Sequence, residues 1–264
     1  MTHNDTLLTA EALAFGRDRP LNAPLDLRLR AGCVTALLGP NGSGKTTLLE
    51  TLSGVLLPLS GRIRCDVRRA SVPQRYPTGL ALSVENVVLL GRAHAVGAFS
   101  LPSRLDEEKA RAAMRSLGIE AWAETPFRQL SGGQQQLVIV ARAIASDARV
   151  LFLDEPASAL DLRRQGEVLG LMRRLADEGR AVVFTTHDPS HAERIANEAV
   201  VLMPDGVARS GLRADVLTPE VLGASLGVTL EHARTPSGAA RLVPVYSYLS
   251  SGSRSSEIQK GTPS

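Results

Sequence analysis

Gly39-Pro40-Asn41-Gly42-Ser43-Gly44-Lys45-Thr46 decides the reading of this chain. The octapeptide fits G-x-x-x-x-G-K-[ST], a turn in which successive backbone N–H groups face one concavity and hold phosphate oxygens. The flanks agree. Val34-Thr35-Ala36-Leu37-Leu38 reads as a short buried strand leading into the turn, and Thr46–Leu52 has helical composition. A helix N-terminus adds partial positive charge to such a site. On this reading Lys45 reaches the outer phosphates, the Thr46 hydroxyl ligates Mg²⁺ and Thr47 lies beside the phosphates. An ordinary glycine turn would not account for a lysine at the required place in a chain whose other lysines are Lys109 and Lys260 alone.

Two further stretches belong to the same chemistry. Leu151-Phe152-Leu153-Asp154-Glu155 is an apolar strand delivering two carboxylates to its end, where open α/β sheets place their ligands. Asp154 is the natural Mg²⁺ partner, and Glu155 is placed to polarise an attacking water. Leu130-Ser131-Gly132-Gly133-Gln134 is more ambiguous. Ser with Gln three residues later is a capping-box pattern, so Ser131 can simply start a helix running through Ala148. Two glycines in its first turn cost helix propensity, and they make sense where backbone must approach something closely.

Composition sets the bounds. The chain has 264 residues, 44% of them hydrophobic, enough for a sizeable core in one large domain or two modest ones. Net charge is +3 from 30 basic and 27 acidic residues, and aromatics are 3%, which disfavours nucleic-acid binding. Cys33 and Cys65 do not suggest a disulfide framework, and Cys65 alternates with Ile63 and Val67 on the inner face of a strand. Met1–Ala10 is too polar for a signal peptide. No apolar run reaches the ~18 residues of a membrane span.

Along the chain, Leu25–Arg30 alternates strictly, as a half-buried strand does. Ile63–Val72 is read as another strand region. Residues 76–147 read as a helical insert, with helices at Val84–Leu90 and Asp106–Leu117 and a loop over Gly91–Ser103. Strand and helix then alternate again: Val150–Leu153, Arg164–Ala176, Ala181–Phe184, and a helix from Ser190 with a Ser190/Glu193 capping box. This alternation argues for an α/β fold with a largely parallel sheet. A helix over Thr218–Leu226 and a small hairpin of Val228–Glu231 with Arg241–Val245 follow, and a disordered tail is expected from Ser247. The segmentation is therefore 1–75 and 148–230 for a nucleotide-binding core, 76–147 for the insert and 231–264 for an extension and tail. His94 and His191 read as surface residues.

These residues resemble the ATP-binding subunits of ABC transporters, over about Leu8 to Leu226. Leu130–Gln134 is similar to the family's signature sequence, Gln74 to its Q-loop glutamine, Ser158–Asp161 to its D-loop and Thr185–Asp188 to its switch-histidine segment. Phe15 falls where the family usually has a tyrosine that stacks on adenine. Leu137 stands where many members have arginine after the signature. The resemblance implies a P-loop NTPase core with an antiparallel β region near the N-terminus and a helical subdomain. It also implies a head-to-tail dimer in which each ATP lies between Lys45 of one copy and Ser131 and Gly133 of the other. ATP and Mg²⁺ are the implied cofactors. Gly132, Gln134 and Asp161 are implied at the nucleotide, Gln74 on Mg²⁺, and His187 at the γ-phosphate, holding Glu155's water in line.

The importers of iron-siderophores, haem, cobalamin and molybdate look most similar, through Ser83–Val88, Gly91-Arg92 and Ser190–Ala192. The stretch Phe99–Asp106 looks as much like a molybdate importer. The implied partners are a second copy, an integral membrane permease, docked near Gln74–Val88 at the cytoplasmic face of the cell membrane, and a substrate-binding protein. Rival readings are an exporter energiser and a soluble ABC ATPase of translation or DNA maintenance. The latter usually carries two cassettes or a long coiled coil, neither of which this sequence shows.

Overall fold

Short apolar runs become strands covered on both faces in the computed structural model, which describes residues 5–74, 79, 81–96, 101–234 and 240–245. In chain order the elements are β1 (Thr6–Ala14), β2 (Leu25–Arg30), β3 (Val34–Leu38), α1 (Lys45–Ser53), β4 (Ser60–Arg64), β5 (Arg69–Val72), α2 (Val84–Leu89), α3 (Arg104–Ser116), α4 (Gly132–Ala145), β6 (Val150–Leu153), α5 (Leu162–Asp177), β7 (Ala181–Thr185), α6 (Pro189–Ile195), β8 (Glu198–Leu202), β9 (Ala208–Leu212), α7 (Arg213–Val216), α8 (Pro219–Leu226), β10 (Thr229–Arg234) and β11 (Ala240–Val245).

Among the described residues the main sheet runs β5-β6-β7-β3-β8-β9, parallel except for the antiparallel edge strand β9. A second, antiparallel sheet runs β2-β1-β4. Side chains of the parallel strands alternate between two cores, as strand geometry requires. Val34, Ala36, Leu38, Leu151, Leu153, Val182 and Phe184 face the helices. Leu37, Val150, Phe152, Val183 and Val200 face α1 and the antiparallel sheet, together with Leu25, Leu27 and Leu29 of β2. Burial on both faces is why these strands read as continuous apolar runs and β2 as an alternating one.

Several expectations are corrected. Ile63–Val72 is two strands in two different sheets: β4 pairs with β1 and β5 with β6, and the chain turns between them, where Cys65 Sγ contacts the Val67 carbonyl at 3.4 Å. The helix after β7 starts at Pro189, with Asp188 as its cap accepting from the Ser190 N–H at 2.8 Å, so no Ser190/Glu193 capping box forms. Glu193 instead accepts the Leu242 N–H at 3.2 Å and ties α6 to β11. The helix from Ser131 ends at Ala145, three residues short of the expected end. Strands β8 and β9 were not foreseen. The β10–β11 hairpin and the Thr218-capped helix α8 are present. The expected disordered tail lies outside the described residues.

The segment between β5 and β6 is held by buried charge rather than by apolar contact alone. Arg92 donates from Nε to Asp106 at 2.8 Å, and from Nη1 to Asp147 at 2.8 Å and to the Ala145 carbonyl at 3.2 Å. Lys109 joins Asp147. One guanidinium thus pins the start of α3 to the end of α4, a fork geometry that suits arginine. Asp106 also closes the capping box of α3 with Ser103. The Ser103 hydroxyl first, and Arg92 second, hold the Asp106 carboxyl down at about 2, from an ordinary 3.8. Because the folded value is the lower one, this stabilisation is full above pH 3.8 and is lost as pH falls toward 2. Denaturation midpoints of the wild type should therefore drop steeply across that window. Asp106→Asn should be less stable at neutral pH and lose that part of the slope.

Candidate functional site

β3 delivers the chain into the glycine loop. Gly44, with φ of 97°, is the cap of α1 and makes no side-chain cap hydrogen bond. A Cβ there would lie 2.8 Å from Leu21 Cδ1 and 3.2 Å from Phe15 Cε2, so both conformation and space demand glycine. The first N–H groups of α1 have no intrahelical partners and border a cavity lined by Gly44, Lys45, Thr46 and Thr47. The cavity, about 580 Å³, is completed by Asn41, Gly42, Leu21, Gln74, Glu155 and His187.

Lys45 is buried, and Nζ donates to the carbonyls of Gly39 at 2.9 Å and Pro40 at 3.0 Å. Burial pushes its pKa below the ordinary value, with Glu155 and Asp154 opposing. Asp154, at the end of β6, is buried; Oδ1 accepts from the Thr185 hydroxyl at 2.5 Å. Oδ2 is also buried and has no hydrogen-bond partner. Such an orphaned carboxylate oxygen is costly unless something polar reaches it. It fits a hard cation or its water, with the exposed Thr46 hydroxyl and Gln74 as further oxygen donors.

Glu155 adopts φ of 46°, left-handed and unusual for a side-chain-bearing residue. Its backbone N–H donates to Thr185 Oγ1 at 2.8 Å. Oε2 accepts from Gln74 Nε2 at 3.4 Å, and Oε1 lies 3.6 Å from His187 Nδ1. The carboxylate therefore sits between the glutamine after β5 and the histidine after β7, facing the cavity that holds the glycine loop. His187 is 62% exposed. His191, expected at the surface, is half-buried behind it: Nδ1 is 3.4 Å from Thr186 Oγ1 and Nε2 is 3.5 Å from Asp188. Burial lowers its pKa against the pull of Asp188. His94 is exposed, as expected.

Phe15 requires a correction. It was expected to stack on adenine, yet its ring is 0% exposed and packs in the core beside Leu29, Leu48 and Leu202. A ring without a free face has nothing to offer a base. Leu21, 40% exposed and tied to the Phe15 carbonyl through its N–H at 3.0 Å, lines the cavity instead. Nothing in the sequence marked Leu21, a single leucine in a polar turn.

The remaining predicted residues are not part of this cavity. Ser131 and Gln134 form a reciprocal capping box at the start of α4, at 2.9 and 3.4 Å. Asp161 caps α5 through the Arg164 N–H at 2.9 Å. Leu137 is buried in α4. The two signature glycines differ. A Cβ on Gly133 would lie 2.8 Å from the Ala159 carbonyl oxygen, whereas one on Gly132 meets nothing within 4 Å. Gly133 is explained by packing inside this chain and Gly132 is not. Gly133→Ala should lower the melting temperature, and Gly132→Ala should leave it unchanged or raise it, since alanine gains about 1 kcal/mol over glycine in a helix. Thermal unfolding of the two variants checks both.

A phosphate-cradling loop, its lysine, and a carboxylate pair and histidine on adjacent strand ends make this a P-loop nucleotide hydrolase. Residues 23–158 match the family model described as ABC transporter, and the chain belongs to that family as an ATP-binding, ATP-hydrolysing subunit. It is 40% identical over 201 residues to the molybdate import ATP-binding protein MolC of Haemophilus influenzae, covering 76% of this chain and 79% of that one. It is 35% identical to the hemin import ATP-binding protein HmuV of Rhodococcus jostii, covering 89% and 85%. Among solved structures, an inward-facing ABC transporter assigned to the metal-chelate type superposes with a TM-score of 0.85 at 36% identity, over 92% of this chain and 98% of that one.

Proposed function

We propose that this subunit energises import of a metal chelate of the siderophore, haem or cobalamin kind, through a separate membrane permease. The observation that carries the reading is the division of the motifs. The glycine loop, Gln74, Glu155 and His187 line one cavity, while Ser131–Gln134 lies outside it. A signature that does not serve its own chain's nucleotide suits a second copy, head to tail, with ATP between Lys45 of one and Ser131 and Gly133 of the other. The relatives named above support import. A molybdate or tungstate oxyanion is the second reading, favoured by the 40% identity to a molybdate import protein.

In this scheme the loop backbone, Gly39 to Gly44, cradles the phosphates, and Lys45 leaves its two carbonyl partners for the outer ones. Thr46, Gln74 and Asp154 would hold Mg²⁺, which supplies charge neutralisation for the phosphates when bound. Glu155 accepts the proton of the attacking water, and His187 holds that water in line with the γ-phosphate. Phosphoryl transfer asks little more than such positioning. Closure of the dimer follows ATP because contacts from the second copy exist only in that state. No helix among the described residues is long and apolar enough to cross a membrane. We place the subunit at the cytoplasmic face, held by its permease near Gln74–Val88, a stretch that lies partly outside the described residues.

Lys45→Ala should abolish nucleotide binding or turnover. Glu155→Gln should bind ATP, accumulate as a closed dimer and turn over about 10²–10⁴ times more slowly, as loss of a general base implies. Gel filtration with ATP and phosphate release measure both, and rapid hydrolysis by Glu155→Gln would remove Glu155 from its role. Purification from the native membrane in mild detergent should recover a multi-span permease; recovery with ribosomes or DNA instead would overturn transport. Loading the accompanying binding protein with a chelate or with molybdate separates the two cargo readings.

A further inference from the structure

We infer that Thr185 is a positioning residue for hydrolysis, its single hydroxyl setting both the aspartate of the metal site and the glutamate that handles water. The inference rests on the roles given above to Asp154 and Glu155. Thr185 is the last residue of β7 and is 0% exposed. Its neighbour Phe184 is in register with Leu153, the residue before Asp154, and Thr185 itself with Leu37, two residues before the glycine loop. The sheet thus sets the hydroxyl one step beyond the last paired residue of β6, level with the carboxylates.

A threonine hydroxyl has one proton to donate and lone pairs to accept with. Both capacities are used. The proton goes to Asp154 Oδ1 at 2.5 Å, and a lone pair takes the Glu155 N–H at 2.8 Å. The first bond fixes the rotation of the Asp154 carboxylate, so that Oδ2 is the oxygen left without a partner. The second holds Glu155 at φ of 46°, a conformation its side chain disfavours. From that backbone the Glu155 carboxylate reaches the space between Gln74 and His187. Without the hydroxyl, a buried carboxylate oxygen and a half-buried N–H lose their partner together and the strained turn loses its tether. The methyl and Cβ of Thr185 would be replaced well enough by valine, which suits a buried strand. Shape and hydrogen bonding therefore make opposite demands on substitution.

The test compares Thr185→Val and Thr185→Ser with the wild type and with Glu155→Gln in the 264-residue chain. Thr185→Val should lose about 10–100-fold in kcat, the usual cost of removing a partner behind a metal or catalytic ligand, with KM for ATP nearly unchanged. Thr185→Ser should restore most of that loss. A second readout needs neither nucleotide nor metal. Amide hydrogen exchange at Glu155 should be at least about tenfold faster in Thr185→Val than in the wild type, and near wild type in Thr185→Ser, as expected when a protecting hydrogen bond is removed. If Thr185→Val does not fold, Thr185→Ala is read in its place.

Wild-type turnover and Glu155 exchange in the valine or alanine variant, with Glu155→Gln inactive, would overturn the inference and leave the hydrolytic reading standing. A serine variant as impaired as valine would assign Thr185 to packing and overturn it too. Full hydrolysis by Glu155→Gln would instead remove the reading on which the inference rests.

Discussion

The site depends on the register of three parallel strands. β3 pairs with β7 so that Leu37 faces Thr185, and β6 pairs with β7 so that Leu153 faces Phe184. These pairings bring the glycine loop, Asp154, Glu155 and His187 to one level at the carboxyl edge of the sheet. Strand residues alternate faces, so a slip by one residue would turn Thr185 from the carboxylates and drive buried apolar side chains into the wrong core. The register is secured because both faces of these strands are buried, one against the helices and one against the antiparallel sheet. Hydrophobic burial thus sets the geometry, and the polar contacts refine it within a frame they could not have made.

Three kinds of cost are visible at this edge. Glu155 holds a left-handed backbone, Asp154 keeps one buried carboxylate oxygen unpaired, and Lys45 keeps its ammonium out of water against two carbonyls. Each is unfavourable in an isolated fold and is tolerated where the surroundings over-determine it. They lie side by side because one ligand would relieve them together. On the proposed function a phosphate would take the lysine from its carbonyls, a cation would satisfy the aspartate, and a water would meet the glutamate. The cavity in front of them offers the space.

Much of the fold was legible because its signals were strong and local. The strict alternation of Leu25–Arg30, the helix ending at Leu226 and the strand–loop–helix around Lys45 are each dictated by neighbours within a few residues. What was not legible depended on distant partners. Ile63–Val72 looks like one strand until β1 and β6 compete for its two ends. Glu193 looks like a capping residue until the C-terminal hairpin recruits it. Phe15 looks like a base platform until the core closes around its ring, and no local pattern announces that. Thr185 was read only as part of the switch-histidine segment, since a threonine near a strand end is unremarkable until its hydroxyl is seen between two carboxylate-bearing residues.

On the proposed function one copy carries only half a site, and charge gives the reason. Among the described residues the cavity's cationic side chains are Lys45 and, when protonated, His187, and Glu155 opposes them. A triphosphate brings several negative charges, more than one lysine and a row of backbone N–H groups can neutralise in a partly closed space. In the proposed dimer the shortfall would be met by a cation at Asp154 and by donors of the second copy. Gly132 is suggestive here: it sits in the first turn of a capped helix, costs helix stability, and makes room for nothing in its own chain. In the proposed dimer that first turn would lie against a phosphate brought by another copy. On this account dimerisation supplies the charge that the monomer lacks, and hydrolysis, by removing the γ-phosphate, removes the reason for the two copies to stay closed.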